Sequence, residues 1–404
     1  MVSDVCFPRV NGVSTSIATY RDSLVAAGHE VSLIAPAYPI PGDEPEGWIN
    51  RIPSRGVWRD PEDRMMRYRA VLARGSALEG AGFDIVHIHT PFVAHYAGVR
   101  LARRLGIPVI ESYHTYFEEY LGCYLPFVPR ALTRWMARRF SASQADAVDG
   151  MIVPSTAMRE KLSSYGIATE IRIIPTGLDL GRFRHGDGRR FRATHGIDHH
   201  RPMLLYVGRV AHEKNIDFLL EILVEVRKSL PSAMLVVTGE GPAENHLRRL
   251  AERLAIADGV KFLGYLDRAT DLVDCYAAAD VFTFASKTET QGLVLLEAMA
   301  MELPVVAPAV MGTCDVLRNG AGALTPAVDD RSDFAAKVVY LLQDRAARIE
   351  QGRRARVTAS EWSNEACTRR LVGFYAQIID RRSAKDSPNV HARETVRSHS
   401  RTIV

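Results

Sequence analysis

Cysteine is scarce in this chain of 404 residues: Cys6, Cys123, Cys275, Cys314 and Cys367 are odd in number, scattered, and never spaced as a Cys-x-x-Cys pair. That scarcity excludes a disulfide framework and a thiolate zinc site, and it points to a reducing compartment. Long apolar runs are missing too, none approaching the ~20 residues that cross a bilayer. The first residues, Met1-Val2-Ser3-Asp4, lack a basic segment followed by an apolar one, so the expected location is the cytoplasm. A formal net charge of +4 is too small for this length to signal nucleic acid by itself. The chain has no G-x-G-x-x-G after its first strand, which disfavours a nicotinamide dehydrogenase, and no Asp-x-Asp metal motif.

What is present is an ordinary globular composition, 47% hydrophobic and 24% charged, in a chain longer than one core usually supports. Short β-branched runs (Val31 to Ala35, Ile85 to Ile88, Val109-Ile110, Met151 to Val153, Ile171 to Ile174) alternate with helical patterns, and a second set follows at Met203, Met234, Val260, Val281 and Pro304. Such alternation predicts an α/β protein of buried parallel strands covered by helices. Two Rossmann-like domains are expected, residues 1–185 and 202–362, joined by a basic, non-periodic linker at 186–201. A helix over 363–382 is expected to pack back on the first domain, and the polar tail 383–404 to be disordered. Only Met1 to Val5 precede the first turn, so either the opening strand is short or the natural chain starts further upstream.

In doubly wound sheets ligands bind beyond the carboxyl ends of the strands, so residues just after strands carry the functional reading. Ser286 to Met299 places Glu289 and Glu297 eight positions apart, with Gly292 between them opening a helix. Glu297 then falls about five residues, ~7 Å, along that helix. The first amides of a helix lack internal partners and carry the positive end of its dipole, so Gly292 and Leu293 can face an anion. This suits a sugar nucleotide: amides on the diphosphate, Glu297 on ribose hydroxyls, Glu289 on sugar hydroxyls. Gly208-Arg209 and Lys214 follow another strand and offer a guanidinium and an ammonium five residues apart to the same diphosphate. Gly239-Glu240-Gly241 is a tight turn open to a base or phosphate, and Gly12 lets a ligand approach a helix N-terminus in the first half. His114 follows the strand at Val109, while His87 and His89 read as structural strand-end residues.

These segments, from Pro8-Arg9-Val10-Asn11-Gly12 through Val207-Gly208-Arg209 and Glu289-Thr290-Gln291-Gly292 to Glu297-Ala298-Met299-Ala300, resemble the retaining family 4 glycosyltransferases of the GT-B fold. The resemblance covers nearly the whole chain, with the motifs in order after the right strands. It implies two doubly wound domains facing a central cleft, with a nucleotide sugar as substrate and neither cofactor nor metal. Arg209 and Lys214 become the diphosphate clamp, Glu297 the ribose ligand, and Glu289 and His114 neighbours of the donor sugar. Gly12, Gly241, Thr290, Gln291, Gly292 and Leu293 complete the implied donor site. The chain departs from the family in having Asn11-Gly12 for Gly-Gly, and Glu302 where a helix end usually carries Gly.

The acceptor is read from the first domain. An aromatic run with Tyr116 and Tyr120 precedes Arg130 to Phe140, where Arg130, Arg134 and Arg138 recur every four residues beside Leu132, Trp135, Met136 and Phe140. A basic amphipathic helix with Trp reads either as a membrane-surface element or as a core-facing helix with a solvated arginine face. The runs around His114 and Gly292 resemble the branch that glycosylates diacylglycerol. That likeness implies transfer of a hexose from a UDP-glucose-like donor to a lipid, by an enzyme held peripherally on the anionic inner face of the cell membrane. A GDP-mannose-dependent mannosyltransferase, a polysaccharide-extending enzyme and a silent sugar-nucleotide sensor are the alternatives.

Overall fold

The computed structural model describes residues 1–9, 11–39, 47–57, 60–77, 79–114, 128–268, 270–318 and 321–386. By its contacts the chain divides into two units: Met1–Val153 with Arg159–Ile174 and the chain from Thr368 on, and Pro154–Met158 with Pro175–Cys367.

In the first unit, β1 (Leu33–Pro36) pairs in parallel with β2 (Ile49–Ile52). A polar hairpin follows, β3 (Ser54–Val57) against β4 (Asp60–Met66). Four more parallel strands lie in the order β5 (Val86–Ile88), β6 (Val109–Ser112), β7 (Gly150–Val153), β8 (Ile171–Ile173). The opening strand is reduced to one position: Val2 bridges Ile34 on one side and Ile88 on the other, fusing the two parallel groups. Its amide donates to the His87 carbonyl at 2.9 Å, and its carbonyl accepts from His89 at 3.0 Å. The first helix is Gly12–Ala26. Asn11 caps it, its Oδ1 accepting from the Ser14 amide at 2.9 Å while Ser14 Oγ accepts from the Asn11 amide at 2.9 Å. The departure from Gly-Gly at this loop thus has a local reason, a reciprocal cap.

The last helix, Asn364–Asp386, runs past the expected end at 382. Arg381 ties this end of the helix to Glu170. Leu371, Phe374 and Ile378, at helical spacing, are buried against Tyr20, Leu24, Ile110 and Ile152 of the first unit.

The second unit holds one parallel sheet of β9 (Met203–Val207), β10 (Met234–Thr238), β11 (Val260–Phe262), β12 (Val281–Thr283), β13 (Val305–Val306) and β14 (Ala323–Leu324), in the order β11-β10-β9-β12-β13-β14. Every residue of β9 and β10 is buried, as strands covered on both faces require. The helix Ile216–Ser229 buries Ile216, Leu219, Leu220 and Leu223, one face at i, i+3, i+4 and i+7. Strand order reverses between β9 and β12.

The stretch 186–201, expected as a non-periodic linker, is folded into this unit. It contains helix Gly188–Thr194, with Phe191 and Arg192 buried. The Arg192 guanidinium donates to the carbonyls of Ala278, Asp198 and Arg201 at 2.8–2.9 Å and pairs with Asp280 at 3.1 Å. The basic stretch thus includes a buried arginine held by four hydrogen bonds. Among the described residues no helix is long and apolar enough to cross a membrane.

Candidate active site

β9 and β12 are adjacent and parallel, Leu204 opposite Val281, so the segments that follow them leave the sheet at the same edge, where its order reverses. After β9 come Gly208, the exposed Arg209, and a 3-10 turn His212–Lys214. Tyr206 donates its hydroxyl to the Arg209 carbonyl at 3.0 Å and holds this loop from below. Burial first, and the Glu289 charge second, push the Tyr206 phenol well above its ordinary value, so it stays a donor. Asn215 ties the turn to the segment after β12 by donating to the Ala285 carbonyl at 3.3 Å.

That segment brings Glu289 to Lys214, and the two half-buried side chains form an ion pair. The Glu289 carbonyl accepts from the Gly312 amide at 2.9 Å, so the loop after β13 supports the glutamate. Gly292 then starts helix Leu293–Ala300 from a left-handed conformation (φ 88°, ψ 51°), and no side chain caps that helix. A Cβ there would be strained in φ and would sit 3.0 Å from a Leu295 methyl. Thr290 and Leu293 are half-buried on either side of this start.

Glu297, one turn into the helix, is only 2% exposed. A carboxylate at that depth requires partners. Arg268 pairs with its Oε1, and the Tyr276 hydroxyl donates to Oε2 at 2.9 Å. The Glu297 carboxylate holds the Arg268 guanidinium above its ordinary value. A carboxylate accepts about four hydrogen bonds, so capacity for ligand hydroxyls remains beside these two.

Two residues expected at the donor site also hold the fold together. Gln291 is buried, and its side-chain amide is spent on one backbone unit, accepting from the Thr176 amide at 2.9 Å and donating to the Thr176 carbonyl at 2.8 Å. It clasps the loop, and its side chain is not displayed to a ligand. Gly241 is small for an internal reason: an added Cβ would lie 2.3 Å from the Val210 carbonyl oxygen, where the loops after β9 and β10 are zipped together.

The matches to known proteins follow this geometry. Residues 187–358 match the family model described as glycosyl transferases group 1, and residues 10–182 match that described as glycosyltransferase family 4. The chain is 34% identical over 314 residues to an alpha-monoglucosyldiacylglycerol synthase of Streptococcus pneumoniae, covering 76% of this chain and 70% of the relative. The chain is a family 4 glycosyltransferase of the GT-B fold.

The glycosyltransferase is also 29% identical over 402 residues to a GDP-mannose-dependent alpha-mannosyltransferase of Mycobacterium tuberculosis, covering 95% of this chain and 98% of that one. Sucrose-phosphate synthase from Thermosynechococcus elongatus shares its fold with a TM-score of 0.76 at 22% identity, covering 92% of this chain and 94% of that one.

In the first unit of the glycosyltransferase, His114 lies two residues beyond β6 and faces His89, Nε2 to Nδ1 at 3.3 Å, the rings stacked. His87 reaches Ser112 Oγ at 2.8 Å and the Tyr375 hydroxyl at 2.7 Å, which fixes it as a structural residue. Burial lowers the pKa of all three imidazoles, that of His114 to about 4. His114 is therefore a neutral hydrogen-bonding group near pH 7, not a cation. Gly12 is exposed, and a Cβ there would meet nothing within 4 Å, so its backbone is open to approach.

Helix Arg130–Ala145 presents Arg130, Arg134 and Arg138 to solvent, Arg138 lying 5.5 Å over the Tyr165 ring. Its buried face is small and polar (Thr133, Ala137, Ser141, Gln144). The large apolar side chains are the exposed ones: Trp135 at 59%, Leu132 at 47% and Met136 at 40%. Phe140, expected beside them, is half-buried. Tyr116 and Tyr120 lie outside the described residues.

Sequence reasoning missed Arg268 and Tyr276. Tyr276 sits in the apolar helix Asp271–Ala278, where it reads as core, and Arg268 stands alone in a turn without a motif. The one signal available was Glu297 itself, the sole charged residue of Leu-Val-Leu-Leu-Glu-Ala-Met-Ala, which requires a buried cation or donor nearby.

Proposed function

We propose that this glycosyltransferase moves a hexose, with retention and without a divalent metal in the transfer step, from a UDP-glucose-like nucleotide sugar to a hydroxyl of a membrane lipid such as diacylglycerol. The observation that carries the donor half is the Lys214–Glu289 pair at the order reversal of the sheet, beside the exposed Arg209 and the uncapped helix start at Gly292. Without donor the lysine and glutamate neutralise each other. A diphosphate arriving at the helix start draws Lys214 and Arg209 onto its oxygens and frees Glu289 to accept from hexose hydroxyls. Glu297, already oriented by Arg268 and Tyr276, accepts from ribose hydroxyls.

In the transfer step the bond from the anomeric carbon to the diphosphate oxygen breaks as the acceptor oxygen bonds to the same face of that carbon. The acceptor proton passes to the leaving phosphate. Charge therefore builds on the departing diphosphate, and two preorganised cations stabilise it there.

The acceptor half is supported by the exposed Leu132, Trp135 and Met136 among arginines, an arrangement suited to an anionic lipid surface, and by the relative named for diacylglycerol. The enzyme then works peripherally on the inner face of the cell membrane. A second reading, GDP-mannose as donor, is favoured by the near-full-length mycobacterial relative. A panel of UDP-, GDP- and ADP-hexoses, scored by nucleoside diphosphate release with and without diacylglycerol vesicles, separates these. Lipid-dependent release from UDP-glucose supports the first reading, preference for GDP-mannose the second, and no release from any donor contradicts both.

A further inference from the structure

His212, Asp217 and His246 come from three different elements of the second unit and converge at its surface. His212 lies in the 3-10 turn after β9, Asp217 in the first turn of helix Ile216–Ser229, and His246 in the first turn of helix Glu244–Arg253. Their ligand atoms all fall within 4.8 Å of one another. His246 Nε2 is 2.6 Å from Asp217 Oδ1, and the two imidazoles meet edge to face with centroids 5.4 Å apart. An exposed ion pair adds little stability, so packing gives no strong reason for two histidines and a carboxylate to converge here.

We infer that this triad binds a divalent transition metal of borderline softness, with zinc as its representative. Two imidazole nitrogens and one carboxylate oxygen suit zinc, nickel, cobalt or copper, and are poor ligands for magnesium or calcium, which take oxygen. Zinc bonds of about 2.0–2.2 Å in a tetrahedral site place ligand atoms about 3.4 Å apart. Side-chain rotations of about an ångström bring the three to that spacing, and their exposure leaves the fourth position to water. The site stands apart from the transfer chemistry, which uses none of the three side chains. Its consequence is mechanical: His212 lies between Arg209 and Lys214 in the loop after β9, so a metal bridging it to the two helices restrains the backbone that carries both cations.

The test uses the full chain, stripped with chelator and dialysed, and titrated calorimetrically with zinc chloride. Binding of about one equivalent is expected, with cobalt giving the intense visible absorption of a four-coordinate site. Asp217→Asn, which keeps a hydrogen-bonding partner for His246 but removes the charge, and His246→Ala should each weaken zinc binding by roughly tenfold or more. Zinc should raise the melting temperature of the unaltered chain and leave that of His246→Ala unmoved. Absence of stoichiometric binding, or an affinity in either variant equal to that of the unaltered chain, would overturn the proposal and leave a hydrogen-bonded surface cluster. Because the readout is metal binding, failure here is distinct from failure of the transferase reading.

Discussion

Arg209 reaches solvent with Glu213 as a distant neighbour at 3.7 Å, so little of the fold depends on it. Arg209→Ala should lower turnover by roughly a hundred- to a thousandfold, the usual cost of one lost electrostatic donor, with an unchanged melting temperature. Steady-state donor kinetics beside a thermal melt check both parts. Arg268 is the opposite case. Removing it strands the Glu297 carboxylate with Tyr276 alone, and Arg268→Ala should cost about 3 kcal/mol in urea unfolding. The two arginines also show what was legible. Arg209 follows a strand in a motif, whereas Arg268 is paired across 29 positions, a relation that only folding displays.

His114 supplies a prediction with a defined sign. Burial depresses its pKa from 6.5 to about 4, so the unfolded chain takes up a proton that the folded chain refuses. Its contribution to stability is fully present above pH 6.5 and is lost as the pH falls towards 4. Urea midpoints measured at intervals across that window should fall with decreasing pH, and less steeply in His114→Gln. Equal slopes would refute the depressed imidazole.

Among the elements, short apolar runs revealed β5 to β13, most clearly β9 and β10, which are covered on both faces and have no polar side to interrupt them. β2 and the β3–β4 hairpin escaped notice because Ile-Asn-Arg-Ile, Ser-Arg-Gly-Val and Asp-Pro-Glu-Asp-Arg-Met-Met interrupt their apolar residues with polar and charged ones. The departure at Glu302 was legible, and its cost is now located. The residue ends its helix with φ 57°, in the region that favours glycine, and is held there with Arg356 at 3.0 Å. Glu302→Gly should stabilise the chain by about 1 kcal/mol, since the relieved strain outweighs an exposed ion pair. Chemical denaturation of the variant checks this, and destabilisation would show that the ion pair dominates. The bonds of the Gln291 side chain were not legible, because its partner Thr176 lies 115 positions earlier.

For the whole molecule, the helix Arg130–Ala145 decides whether the chain meets a bilayer. A core-facing helix would bury Leu132, Trp135 and Met136, and the structure instead turns them outward. Flotation with vesicles containing anionic lipid should carry the protein upward, and Trp135→Glu should lower the bound fraction severalfold. Equal flotation of the variant would reduce the helix to ordinary surface. Fold and family were readable from strand order and motif order together, while donor and acceptor rest on hydroxyl contacts that composition does not encode. The most direct test of the transferase account is the lipid product itself: radiolabelled UDP-glucose incubated with the protein and diacylglycerol vesicles, then extracted into solvent. The account predicts label in an α-linked glucosyl lipid, reduced at least a hundredfold by Arg209→Ala. Label that stays in water with every nucleotide sugar, or an Arg209→Ala variant as active as the parent chain, would contradict it.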